Sequence, residues 1–171
     1  TRKESSAASD VYKRQLPEWF KVQAPTSSNF NSLKGKLSSA KLNTVCEEAA
    51  CPNIGECWDR GTATFMILGD ICTRACRYCN VKTGRPSQID IFEPSRVANT
   101  VKQMGLSYSV VTSVDRDDLV DGGAGAFAMT IKQIKKFNPD CKVEVLIPDF
   151  NGNRSSLETV IKAFPDVLNH N

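Results

Sequence analysis

The spacing of apolar positions switches repeatedly between two periods. Thr62-Ala63-Thr64-Phe65-Met66-Ile67-Leu68 is a short, nearly continuous apolar run that predicts a buried strand, and Glu93 to Met104, opened by Pro94 and stopped by Gly105, predicts an amphipathic helix. The alternation continues: strand over Tyr108 to Val114, helix over Gly123 to Phe137, strand over Lys142 to Ile147, helix over Ser155 to Phe164, and a strand stub over Asp166 to Leu168. The order βαβαβαβ places the chain in the α/β class, with a parallel sheet or barrel. Phe65, Ile67, Val110 and Val145 are then expected to pack the inside of a barrel. In such folds the active site lies at the C-terminal ends of the strands, and polar residues gather there: the Cys72 loop, Ser113 to Asp118, Pro148-Asp149 and Asn169-His170-Asn171.

Upstream the pattern is irregular. Residues 1–15 are polar and without hydrophobic period, and Asp10-Val11-Tyr12-Lys13-Arg14-Gln15 resembles a translated sequencing adaptor, so this tail is expected to be disordered or artefactual. Residues 16–61 form an N-terminal extension in which Pro17-Glu18-Trp19-Phe20 can anchor by aromatic burial and Asn31 to Leu42 can form a short helix. Residues 62–171 carry the repeated units. An eight-fold barrel takes roughly 250 residues, so the chain is expected to hold only its first half, truncated at the C-terminus, with an unpaired sheet edge and no activity by itself.

With 22 Lys+Arg against 19 Asp+Glu among 171 residues, the net charge is +3, and 40% of the chain is apolar. That charge is too small and too scattered to argue for nucleic acid, and no run of about 18 apolar residues argues for a membrane span. The N-terminus lacks the apolar core of a secretory signal, so a reducing compartment is expected: the cytoplasm, or the mitochondrial matrix if the source is eukaryotic.

Six of the seven cysteines fall between residues 46 and 79, leaving Cys141 as an expected small core residue. Cys72, Cys76 and Cys79 put three thiolates on one tight loop with no fourth ligand beside them. An iron-sulfur cubane held by three thiolates keeps one iron open, whereas structural zinc closes with four. A zinc site borrowing a ligand from Cys46, Cys51 or Cys57 is the alternative, and would make the chain a non-catalytic interaction module.

The Cys72-x3-Cys76-x2-Cys79 spacing, with the aromatic Tyr78 before its last cysteine, resembles the signature of the radical S-adenosylmethionine (SAM) superfamily. Together with Thr44 to Ala49, the second triplet Cys46-x4-Cys51-x5-Cys57 within Cys51 to Trp58, Gly69 to Arg74, Thr112 to Leu119, Asp121 to Ala124 and Glu144 to Phe150, it resembles the lipoyl synthase family along nearly the whole chain. The resemblance implies two 4Fe-4S clusters and SAM as cofactors: one cluster on Cys72, Cys76 and Cys79 that cleaves SAM reductively, and a sacrificial auxiliary cluster on Cys46, Cys51 and Cys57 that gives up sulfur. The implied reaction inserts sulfur at two carbons of a protein-bound octanoyl chain. Implied partners are octanoylated lipoyl carrier domains, an electron donor such as ferredoxin or flavodoxin, and an iron-sulfur carrier protein. Biotin synthase, similar in strategy, is the rival product within the superfamily, and the Cys46 triplet counts against it.

By the same resemblance Tyr78, Asp115 and Arg116 belong to the SAM pocket, while Asp117 and Asp118 are expected to be ordinary solvated loop. Gly122 and Gly123 could let backbone approach the cofactor or could form a helix-entry turn. His170 is expected in a loop that faces substrate or SAM, or in a solvated one. Arg154-Ser155-Ser156 looks like the family's serine-ligand motif, yet its position before the third helix reads as an N-cap.

Overall fold

Strand and helix follow from where each segment can bury its apolar side. The computed structural model describes residues 31, 34, 35, 37, 40, 42–48, 51, 53–77 and 79–170. In chain order the elements are β1 (Asn43–Thr44), α1 (Val45–Glu48), α2 (Ile54–Asp59), β2 (Thr62–Ile67), β3 (Ile71–Cys72), β4 (Lys82–Thr83), α3 (Glu93–Met104), β5 (Tyr108–Ser113), α4 (Ala124–Phe137), β6 (Lys142–Ile147), α5 (Arg154–Ile161) and β7 (Val167–His170). The tail over residues 1–15, the Pro17 to Phe20 anchor, Tyr78 and Asn171 lie outside the described residues, whereas Asn31, Lys34, Gly35 and Leu37 are helical as expected.

The main sheet has the order β1-β2-β5-β6-β7, and every pairing from β2 onward is parallel. Each crossover is a helix, which makes this the α/β architecture and open half-barrel that the alternation predicts. β1 adds two residues antiparallel to β2, with Asn43 opposite Met66. Among the described residues no helix is long and apolar enough to cross a membrane.

The register sorts the side chains into two faces. Ala63, Phe65, Ile67, Val111, Val143, Val145 and Ile147 are 3% exposed or less and share the core with Val97, Val101, Phe127, Ile131, Ile134 and Val160 of the helices. Thr64, Val110 and Glu144 stand in line on the other face, only partly buried. The expected barrel-interior set is therefore corrected: Phe65, Ile67 and Val145 lie under the helices, and Val110 alone of the four lines the open face. One residue of offset in a period-two strand decides the face. That open face is polar as well, since Glu144 accepts hydrogen bonds from Tyr108 Oη and, at 2.6 Å, from Asn169 Nδ2.

Element ends show where local chemistry overrides the period. α3 ends on Gly105 at φ 63°, with Gly105 N donating to Lys102 O and Leu106 N to Val101 O, a left-handed cap that only glycine adopts cheaply. β2 stops one residue short of expectation because Leu68 itself has φ 70°. α5 is capped by Asn153, not by the serines: Asn153 Oδ1 accepts from Ser155 N and Ser156 N. It closes at Ile161, ahead of the expected Phe164, whose φ is 57° before Pro165. β7 runs on through His170, so that residue is in a strand instead of a loop, its Nδ1 3.3 Å from Ile147 O.

Candidate functional site

The downstream cysteines lie just past the C-terminal end of β2. Cys72 sits in β3, which pairs with β4 through Ile71 opposite Lys82 and Cys72 opposite Thr83, and Gly84 N donates to Cys72 O at 2.9 Å. This small parallel pair, not legible in the sequence, closes the base of the loop carrying Cys76 and Cys79. Burial decreases along the triplet: Cys72 is buried, Cys76 half-buried and Cys79 exposed.

Cys72 Sγ accepts two backbone N–H bonds, from Arg74 at 3.4 Å and from Asp115 at 3.3 Å. As a thiol it donates in turn to Asp115 Oδ2 at 3.7 Å. Burial pushes the Cys72 thiol up, and the two amide donors oppose that rise by favouring the thiolate. A sulfur flanked by amide donors on a loop with two further free thiols has the donor chemistry of an iron-sulfur ligand. Among the described residues no group of three His, Cys, Asp or Glu stands ready for a single metal ion.

Arg74 ties this loop to the ends of the next two strands. Its Nε and Nη2 donate to Asp117 Oδ2 and Oδ1 at 2.7 and 2.6 Å, and its Nη1 and Nη2 donate to Asp149 at 3.1 and 2.8 Å. Nη2 also reaches Asn151 Oδ1 at 2.9 Å, and Asp115 Oδ1 lies 3.5 Å from Nη1. Asn151 Nδ2 and Thr73 Oγ1 complete the shell of Asp117 at 2.9 and 3.1 Å. The guanidinium holds the Asp117 carboxyl at about 2, well below the usual carboxylate range, and pulls Asp149 down too. Asp117 is thus a structural anchor where the sequence predicts solvated loop. Asp118 is likewise engaged, accepting from Arg116 Nε at 2.9 Å and Nη2 at 2.8 Å.

Of the residues expected to contact cofactor, Asp115 stands directly against Cys72, and Tyr78 lies outside the described residues. Arg116 is 4% exposed, and beyond Asp118 it donates to Leu68 O at 3.3 Å and Ser87 O at 3.1 Å. Gly122 and Gly123 take φ 59° and 90° in a helix-entry turn, where Asp121 accepts from Gly123 N at 2.9 Å and Gly125 N at 2.8 Å. Sequence reasoning missed Arg74 as a linchpin and Glu93 as a buried carboxylate. A cation between the first two cysteines of the loop and a helix opening with Glu-Pro were their only signals.

The upstream triplet is held by packing. Cys46 is buried in α1, Cys57 is half-buried in α2, and Cys51 between them donates its N–H to Cys46 O at 3.0 Å. Burial raises the Cys57 thiol, and the nearby Cys46 and Cys51 raise it further, so the three sulfurs share one electrostatic neighbourhood. Asn80 Nδ2, next to Cys79, donates to Glu48 O at 3.5 Å and so joins the two cysteine segments.

Residues 2–51 match the N-terminal domain of lipoyl synthase of the radical SAM family, and residues 66–171 match the radical SAM superfamily. The chain is 58% identical over 155 residues to a lipoyl synthase of Roseiflexus sp. (strain RS-1), covering 91% of this chain and 52% of that protein. It is 55% identical over 165 residues to one of Chloroflexus aurantiacus (strain ATCC 29366 / DSM 635 / J-10-fl), covering 96% and 54%. A lipoyl synthase of Rubrobacter xylanophilus is 55% identical over 155 residues, covering 91% and 48%. The chain spans about half the length of these curated relatives. With a parallel β/α half-barrel, a three-cysteine loop beyond its first long strand, and a superfamily match over most of its length, this chain belongs to the radical SAM superfamily.

Proposed function

We propose that the chain carries the cluster-binding part of a lipoyl synthase, a sulfurtransferase acting on octanoylated lipoyl carrier domains. The observation that carries this reading is the pairing of two free-thiol triplets in adjacent segments, joined by the Asn80 to Glu48 contact, in a chain similar to lipoyl synthases over both. Cys72, Cys76 and Cys79 would hold a 4Fe-4S cluster, and Cys46, Cys51 and Cys57 an auxiliary one. When bound, the first cluster with SAM supplies one-electron chemistry able to remove hydrogen from an unactivated carbon, and the auxiliary cluster supplies the sulfur.

The protein's own work is then placement. The buried Cys72 with its two amide donors fixes one corner of the first cluster. Arg74, Asp117 and Asp149 lash the loop to the sheet, so that its sulfurs hold their spacing. By the resemblance, Asp115, Arg116 and Tyr78 would serve the SAM pocket. No acid or base is required of the side chains, because a C–H bond of this strength yields to none. Reduction would come from a ferredoxin or flavodoxin, and loading from an iron-sulfur carrier protein, in the cytoplasm.

Anaerobic reconstitution with iron and sulfide tests the reading. A brown protein binding two clusters is the expected result, with one cluster lost when Cys51 is replaced by Ala. A colourless protein that takes up zinc in preference to iron would overturn it.

A further inference from the structure

β2 leaves the sheet through two consecutive residues of positive φ, Leu68 at 70° and Gly69 at 97°. Glycine adopts this conformation freely, but leucine adopts it only when its surroundings insist. Leu68 is 5% exposed, and its side chain fills the space above Gly123, where a Cβ would stand 2.3 Å from Leu68 Cδ1. The sequence between this turn and Cys72 is only Asp70-Ile71. Whatever fixes the turn fixes the direction in which the cysteine loop departs.

Two opposite charges grip the residue Leu68, one at its N–H and the other at its C=O. Glu93, 7% exposed at the start of α3, accepts the Leu68 N–H at 2.8 Å. From the far side, Arg116, 4% exposed in the loop after β5, donates through Nη1 to Leu68 O at 3.3 Å and through Nη2 to Ser87 O at 3.1 Å. A buried carboxylate and a buried guanidinium are each costly to desolvate, so their placement on the two ends of a single left-handed residue needs a reason beyond packing. Strained backbone of this sort persists only where the surroundings over-determine it.

We propose that Glu93 and Arg116 are positioning residues: by clamping the N–H and C=O of Leu68 they hold the Leu68-Gly69 turn left-handed and so set the exit of the Cys72, Cys76 and Cys79 loop. The role in cluster placement rests on the function proposed above; the clamp itself does not. Neither residue needs to touch the reacting atoms. Arg116 would act through Leu68 and Ser87, and Glu93 through the Leu68 amide.

The test couples the clamp to the conformation that it holds. Amide hydrogen exchange over residues 69–76 is followed in metal-free protein, since local opening is read there directly. Glu93→Ala should speed exchange in this segment about tenfold relative to β6, and Glu93→Gln, which keeps one acceptor, should have a smaller effect. In a Leu68→Gly background, where the left-handed turn costs nothing, the same Glu93→Ala change should shrink to about threefold or less. An equal effect in both backgrounds, or faster exchange spread evenly over the sheet, overturns the clamp. Arg116→Gln asks the same question from the carbonyl side if Glu93→Ala does not fold. In reconstituted protein the clamp variants should alter the electron paramagnetic resonance line shape of the reduced Cys72 cluster while leaving the auxiliary cluster's signal unchanged. If the unsubstituted protein takes up no cluster, the proposed function fails while the exchange result still decides the clamp.

Discussion

The two cysteine triplets are held by different physics. Downstream, Cys72, Cys76 and Cys79 hang on a loop whose base is a two-rung sheet and whose first turn is lashed by Arg74 to carboxylates 43 and 75 residues away in sequence. Upstream, Cys46 and Cys57 lie on two helices of four and six residues with Cys51 between them; the helices are too short to be stable by themselves and are pinned by Trp58, Ile54 and Leu42 in the common core. One triplet is fixed by directional ionic bonds at the rim of the sheet and the other by apolar burial. The contrast teaches that the downstream loop can loosen without unfolding the protein, whereas the upstream triplet loosens only with the core.

The largest effect should come from the proposed cluster ligands, and it should separate the triplets. In the protein carrying its full reading frame, Cys76→Ala is expected to abolish formation of 5′-deoxyadenosine, while Cys51→Ala keeps it and loses lipoyl product. Product analysis by mass spectrometry checks both, and lipoyl formation at the normal rate by Cys51→Ala would remove the sulfur-donor role.

Next in size is the packing that holds the upstream triplet. Trp58 is 1% exposed, and Trp58→Ala should destabilise the fold by about 3–5 kcal/mol. Chemical denaturation measures this, and a loss under about 1 kcal/mol would mean that the upstream segment is not part of the cooperative core.

A smaller and more local effect is expected at Arg74. Removing the guanidinium leaves Asp117, Asp149 and Asp115 facing one another, so Arg74→Ala should cost about 1–3 kcal/mol and show mainly as faster proteolysis or exchange over residues 73–80. Arg74→Lys should recover only part, because an ammonium cannot bond Asp117 through two donors while reaching Asp149. Cleavage spread evenly along the chain would blur the contrast between the triplets.

The smallest expected effect lies far from either site. Asp166 accepts Val143 N–H at 3.0 Å and pairs with Lys135 and Lys142, which holds its carboxyl at about 2, below the ordinary 3.8. Because the folded value is depressed, its contribution is fully present above pH 3.8 and is lost as the pH falls towards 2. Melting temperatures of the parent and Asp166→Asn should therefore differ at pH 6 and converge near pH 2. A difference that does not shrink would place the stabilisation elsewhere.

The sequence by itself determined the order and type of the long elements. Apolar period, Pro94 and Gly105 are local signals, and α3 and β6 fall on the predicted residues because nothing distant opposes those signals. It also named the six clustered cysteines, since thiol spacing is a property of the chain. Tertiary structure decided the rest. Which face of each strand meets the helices depends on a one-residue register that the nearly continuous apolar run in β2 does not specify, so Val110 fell on the open side. Asp117 became an anchor only when folding brought Arg74 to it, and Glu93 and Arg116 reach the N–H and C=O of Leu68 from elements 25 and 48 residues on. Such contacts join charges that are ordinary in sequence. Their energy exists only after the sheet has brought its strand ends together and excluded the water that would otherwise screen them.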